Sequence, residues 1–242
     1  MERTSDHPRR FRFGLNLSQA ESGKDWRNRC RDAEDLGYSS ILIPDHFNQQ
    51  LAPFSALAVA AAATKSARVG MLVACNDYRH PRTYAKELAT LDVLSNGRTE
   101  WSIGAGWWDA EYREAGISFD PPGVRVERLR ESVHLMRKLF TGDPVTHEGT
   151  HYTTAGVANW PATVQRPHPP LLIGGSARRL LSFAAREADI VGVNTSFTTR
   201  SMFGQPAQHT PLEATEMQIG WLRSAAPDRF PTVELNMAVH VI

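Results

Sequence analysis

RHPRTYAKELATLDVLSNGRTEWSIGAGWW, residues 79–108, reads as a helix, a tight turn and a buried strand that delivers glycines to a site. Apolar Tyr84, Leu88, Leu91 and Leu94 recur every three to four residues. One stripe can therefore lie on a sheet while Arg82, Lys86, Glu87 and Asp92 stay wet. Asn96-Gly97 ends the helix, because both residues tolerate the left-handed backbone of a C-cap. Thr99 to Ile103 follows as a short strand. Gly104-Ala105-Gly106 at its carboxyl end leaves backbone with little side chain in the way of a ligand. Taken alone, the same glycines also describe an ordinary strand-end turn.

Outward from this stretch, short apolar strands alternate with helical patterns. The strands are Phe11 to Leu17, Ser39 to Ile43, Arg68 to Ala74, Thr99 to Ile103, Leu171 to Ile173, Asp189 to Val193 and Val233 to Ile242. The first four begin about thirty residues apart, the length of one strand-helix unit, which predicts parallel strands with helical crossovers. A dinucleotide-binding doubly wound sheet requires a G-x-G-x-x-G turn after its first strand, and Gly14-Leu15-Asn16-Leu17 does not supply one. A barrel accounts better for the polar groups that follow the strands: Asp45-His46, Cys75-Asn76, Gly104-Ala105-Gly106, Gly174-Gly175-Ser176 and Asn194.

Six segments in order carry a resemblance: PDHF (44–47), YRHP (78–81), ATLDVLSNGR (89–98), GAGW (104–107), EYREAGISF (111–119) and PPLLIGGSARRLLSFAAREAD (169–189). Together they resemble the bacterial luciferase-like monooxygenase family, and within it the oxidoreductases that use the deazaflavin coenzyme F420. The resemblance runs from about residue 11 to 195. It implies an α/β fold, a TIM (β/α)8-type barrel. It also implies an enzyme transferring a hydride between F420 and a small, largely apolar organic substrate. The alternatives are a monooxygenase of the same fold using flavin mononucleotide (FMN), oxygen and a separate cofactor reductase, a non-catalytic flavin- or deazaflavin-binding protein, and an inactive truncated relative.

Composition agrees with a globular enzyme. The 242 residues are 41% hydrophobic with a formal charge of +1, enough for one buried core and without the charge bias of a nucleic-acid or membrane partner. A single domain over 1–242 is expected, as monomer or homodimer. The polar opening MERTSDHPRR and the lack of an apolar run of membrane length predict a cytoplasmic protein, and the two cysteines, Cys30 and Cys75, are read as reduced thiols.

The strand count stops at seven, so the barrel reads as truncated after the seventh strand, Val233 to Ile242. Residues 141–169 interrupt the rhythm with an alternating hairpin, Val145 to Tyr152 turning at Gly149, and a proline-rich lead-in, Pro161 to Pro170. His147 and His151 have a zinc-pair spacing but lie on the hairpin without a third ligand, and no metal is expected. Residues 196–215 read as a long loop over the active face.

Site residues come from chemistry and resemblance together. Gly174-Gly175-Ser176 ends a strand and opens the helix Ala177 to Glu187, where backbone N–H groups and the helix dipole suit a phosphate; the resemblance places the cofactor phosphate there. Arg178 or Arg179 could add charge. Asp45 and His46 follow the second strand, and the resemblance places them beside the cofactor ring. His46, with its near-neutral intrinsic pKa, is the catalytic candidate, against a capping Asp with a packed His. The resemblance also puts a non-proline cis peptide at Leu72-Val73 behind the ring, with Cys75, Gly104, Ala105 and Gly106 lining the cofactor. Sugar-phosphate dehydrogenases of that branch carry a catalytic glutamate after the glycine motif, where this chain has Trp107 followed by Trp108. The two tryptophans are read as walls of an apolar substrate pocket. Glu111, four residues after Trp107, is read as a surface helix carboxylate, or as an acid if the loop turns inward, and Arg79-His80 either as cofactor contacts or as a turn closed by Pro81.

Overall fold

The structure, a computed structural model, describes residues 11–194 and 210–239. Two compact units divide the chain, one spanning 12–170 and the other containing 171–242.

In the first unit, strands β1 (Gly14–Asn16), β2 (Ser40–Ile43), β3 (Arg68–Met71) and β4 (Thr99–Ile103) alternate with helices α1 (Gly23–Asp35), α2 (Pro53–Ala63) and α3 (Pro81–Leu94). All three pairings are parallel, with Gly14 opposite Ser40, Ser40 opposite Arg68 and Val69 opposite Thr99. Every residue of β2 and β4 is buried, as expected of strands covered on both faces. The buried carboxylate Glu100 on β4 is matched by Arg12 and Arg68, each 3.0 Å away. Ser22 caps α1 by accepting from the N–H of Asp25, and Pro81 opens α3 behind the His80 side chain, which accepts from the N–H of Arg82.

The helix and strand of the opening stretch form as expected. Asn96 and Gly97 stop α3 in the left-handed region, at φ 55° and 79°. Its stripe differs in detail. Tyr84, Leu88 and Leu91 are buried, but Leu94 is 59% exposed and Asp92, expected to be wet, is fully buried. Asp92 accepts hydrogen bonds from the backbone and side-chain amides of Gln165, at 2.9 and 2.6 Å, and these offset its desolvation.

After β4 come the short α4 (Asp109–Glu114), the long α5 (Pro122–Phe140) and a hairpin of β5 (Val145–Glu148) and β6 (Thr153–Val157), antiparallel as predicted. Leu129, Val133, Met136 and Phe140 form the buried stripe of α5, with Phe140 edge-on to Trp101 of β4. His147 and His151 do not converge on a site. The His147 ring meets Glu131 at 3.1 Å, whereas His151 reaches Glu131 through its backbone N–H. In the proline-rich segment, the Trp160–Pro161 and Arg166–Pro167 bonds are cis.

The second unit holds β7 (Leu171–Gly175), α6 (Arg178–Glu187), β8 (Ile190–Val193), α7 (Pro211–Ala225) and β9 (Glu234–Met237). Here too the pairing is parallel, Leu172 with Ile190 and Ile190 with Glu234. These three strands and the four above correspond to the seven expected. Several are shorter: β1 omits Phe11 and Phe13, which are 95% and 69% exposed, β3 ends at Met71 rather than Ala74, β2 and β8 each start one residue late, and β9 runs only from Glu234 to Met237. The loop expected over 196–215 lies outside the described residues up to 209. Its last five residues belong to α7, whose start is a full capping box between Thr210 and Glu213.

Candidate functional site

The turn after β2 carries two adjacent side chains into different networks. Asp45 is buried and accepts both arms of the Arg79 guanidinium, at 2.5 and 2.7 Å, as well as the backbone N–H of Cys75 at 2.9 Å. Burial opposes the Arg79 charge, but Asp45 outweighs it and holds the guanidinium above its usual range. Arg79 is therefore a brace between the ends of β2 and β3. His80, as the cap of α3, is structural too.

His46 turns to α4. Its Nδ1 lies 2.7 Å from Oε2 of Glu111, and Glu111 also accepts the backbone N–H of Phe47 (2.9 Å) and the hydroxyl of Tyr78 (3.0 Å). Glu111 is 2% exposed. The surface-carboxylate expectation is thus overturned: three hydrogen-bond partners, two from the β2 turn and one from the 3-10 turn Asn76–Tyr78, replace the hydrogen bonds that burial takes from water. Burial first, then Cys75 and the hydrogen bond to Glu111, push the Tyr78 phenol well up, so it remains a donor. Trp107 and Trp108 stack on each other, 5.5 Å apart and 15° from parallel. The His46 ring stands edge-on to both, at 5.9 and 5.7 Å. Trp107 is 41% exposed.

The glycine loop after β4 is fixed from beneath. Gly104 exchanges backbone hydrogen bonds with Ala74 and Asn76, at 2.8 and 2.9 Å, and so ties this loop to the end of β3, where the Leu72–Val73 peptide bond is cis. Gly106 has φ +74°, and a Cβ there would overlap the Tyr112 hydroxyl. Its glycine is demanded by backbone and by Tyr112 from within the protein, whether or not a ligand approaches. Tyr112 donates to Asp77 at 3.0 Å and meets the Cys75 sulfur at 3.1 Å, while Arg128 faces Asp77 at 3.3 Å. Burial pushes the Cys75 thiol up to about 12, leaving it an unreactive thiol at neutral pH.

In the second unit, Gly174-Gly175-Ser176 stands at the carboxyl end of β7. Ala177 takes the N-cap of α6 and no side chain caps the first turn, which leaves the positive end of the helix dipole toward that loop. Gln218 of α7, fully buried, donates to the carbonyls of Ser176 (3.3 Å) and Asn194 (3.1 Å), while its Oε1 has no hydrogen-bond partner among the described residues. The sequence reading missed this brace. A Cβ on Gly175 would sit 2.5 Å from Leu180 Cδ2, so any side chain there requires Leu180 to shift. Arg178 and Arg179 are exposed. Among the described residues, no group of three or more His, Cys, Asp or Glu could hold a metal, and no helix is long and apolar enough to cross a membrane.

The model of the luciferase-like monooxygenase family matches residues 9–209. The chain belongs to this family. An uncharacterized family relative in Mycobacterium tuberculosis is 30% identical over 201 residues, covering 73% of this chain and 70% of that protein. The FMNH2-dependent dimethylsulfone monooxygenase of Pseudomonas putida is 31% identical over 109 residues, 45% of this chain and 30% of that one. Among solved structures, the coenzyme F420-dependent tetrahydromethanopterin reductase of Methanopyrus kandleri superposes with a TM-score of 0.76 at 21% identity, over 93% of this chain. This chain covers 64% of the reductase, so it spans somewhat less than two thirds of that protein's length. The likeness gives the fold class as the α/β TIM-barrel type of the family, whose members use either F420 or FMN.

Proposed function

We propose that the protein is an oxidoreductase that moves a hydride between the deazaflavin coenzyme F420 and a small, largely apolar organic substrate. The observation that carries this reading is the group at the end of β2: an imidazole held by a buried carboxylate and set edge-on to two stacked tryptophans. Such a group can exchange a proton next to an apolar surface, which is what hydride transfer to or from a carbonyl-type carbon requires of a protein. Bound, the cofactor would supply or accept the hydride.

The chain's own residues fit such a cofactor. The uncapped start of α6, with the Gly174-Gly175-Ser176 loop braced by Gln218, suits its phosphate. Asp45, His46, Leu72, Val73, Cys75 and the Gly104-Ala105-Gly106 backbone would line its ring. Asp45 would act by holding Arg79 and Cys75 in place, with both its oxygens engaged in doing so. Trp107 and Trp108 would receive the substrate's apolar part and exclude water from it.

A second reading, an FMN-dependent monooxygenase fed by a reductase, draws support from the dimethylsulfone monooxygenase likeness. Affinities for F420 and FMN, measured side by side by fluorescence quenching, separate the two. Tighter binding of F420 is expected, and a clear preference for FMN would refute the deazaflavin reading. His46→Ala is expected to lower turnover by about 10² to 10⁴, the range for a lost proton-transfer group, with a smaller loss of cofactor affinity.

A further inference from the structure

We propose that Glu111 is the positioning residue of the site: it locks His46 in the tautomer that carries its hydrogen on Nδ1, so that Nε2 is the nitrogen that exchanges a proton with substrate. This rests on the reading of His46 as the proton-transfer group. Glu111 lies on a six-residue helix, 65 positions from the histidine, and is 2% exposed. A carboxylate only accepts, and two of its three partners only donate to it: the Phe47 N–H on Oε1 and the Tyr78 hydroxyl on Oε2. Two fixed donors favour the ionised carboxylate in a buried place. The remaining contact, His46 Nδ1 at 2.7 Å from Oε2, is then an N–H donated by the imidazole.

Other charged and titratable groups near His46 leave this assignment alone. Asp45, next in the chain, is engaged by Arg79 and Cys75, and Arg79 gives two nitrogens to Asp45 and turns its Nε toward Glu87 at 3.8 Å. Tyr78, on the 3-10 turn, already gives its hydrogen to Glu111. From the loop after β4 the neighbours are the two indole rings, at 86° and 72° to the imidazole, which fix its plane without competing for its nitrogens. His46 Nε2 has no hydrogen-bond partner among the described residues, and the side chain keeps 23% of its surface accessible. A carboxylate that orients one ring nitrogen and raises the basicity of the other is a general device of imidazole chemistry.

The test uses the full chain without cofactor, labelled with ¹⁵N-histidine. Long-range ¹H–¹⁵N spectra distinguish a protonated from an unprotonated ring nitrogen, and the His46→Ala spectrum identifies which of the nine histidines is His46. The wild type is expected to show Nδ1 protonated and Nε2 bare once the ring is neutral. Glu111→Gln should mix the tautomers and reduce turnover about 10- to 100-fold with cofactor affinity within a few-fold. Tyr78→Phe, which leaves the carboxylate in place, should keep the Nδ1–H tautomer. A wild-type spectrum with the hydrogen on Nε2 overturns the proposal without any variant having to fold, and so does an unchanged tautomer in folded Glu111→Gln. Full turnover in folded His46→Ala would instead overturn the underlying reading of His46, with the tautomer assignment intact.

Discussion

Gly106→Ala exposes how rigidly the loop after β4 is held. At φ +74° an alanine adopts a left-handed backbone that costs roughly 1–2 kcal/mol. The new Cβ would also overlap the Tyr112 hydroxyl and lie 3.1 Å from the Cys75 sulfur. Tyr112 must then swing away, and it loses its hydrogen bond to Asp77. A hydrogen bond to a charged, buried partner is worth about 1.5–3 kcal/mol, although Arg128 continues to face Asp77 and limits the loss. The two effects sum to about 3–4 kcal/mol, a large share of the 5–15 kcal/mol typical of a folded domain. Urea unfolding should show the midpoint falling at an unchanged m-value. Tyr112→Phe removes the hydroxyl and should make the pair of substitutions less than additive, with the backbone cost remaining. A loss below about 1 kcal/mol in Gly106→Ala would refute the claim that the glycine is required by the protein's own packing.

Gly175→Val should weaken cofactor binding at least tenfold, about 1.4 kcal/mol, and it should also destabilise the second unit, because its Cβ meets Leu180. Adding Leu180→Ala should relieve the packing clash; recovery of full affinity in that pair would move the phosphate away from this loop. Glu34 accepts from the N–H groups of Lys65, Ser66 and Ala67 and from the Ser66 hydroxyl. Burial would raise its pKa, yet these donors hold it down at about 2, against 4.5 unperturbed. A depressed folded pKa means that this stability is fully present above about pH 4.5 and is lost as pH falls toward 2. Glu34→Ala should therefore cost about 1–2 kcal/mol at pH 7, after allowance for solvent screening, and progressively less below pH 4.5. A cost independent of pH across that window would show that the carboxylate charge contributes nothing.

Local patterning made much of the fold legible. The parallel strands of the first unit are short runs spaced one crossover from the next, and in β2 burial on both faces writes an apolar run without alternation. The stop at Asn96-Gly97 is a property of those two residues and needed no partner. The errors fall where a distant residue decides. Asp92 sits on what periodicity calls the wet side of α3, and only Gln165, 73 positions away, makes its burial tolerable. The ends of β1 and β9 were drawn too long because apolar content continues past the last ladder hydrogen bond, as with Phe11 and Phe13.

The site divides in the same way, and the division explains which roles could be seen in advance. Asp45, His46 and the glycine loops follow strands directly, so topology alone brings them to strand ends. What topology does not reveal is which side chains hold them there. Glu111 and Gln218 lie on helices whose sequences read as amphipathic surface, and each is buried because its partners are loop groups more than twenty residues away: His46 and Phe47 for one, Ser176 and Asn194 for the other. A weak signal existed for Glu111. The motif's usual acid position is occupied by Trp107, and Glu111 is a carboxylate within one helical turn of that position. A loop that places two indoles against His46 carries α4 close enough for Glu111 to reach the imidazole's far nitrogen. In the proposed reading Glu111 stands behind the histidine, where it would orient the proton-transfer group, with the substrate side left to Trp107 and Trp108.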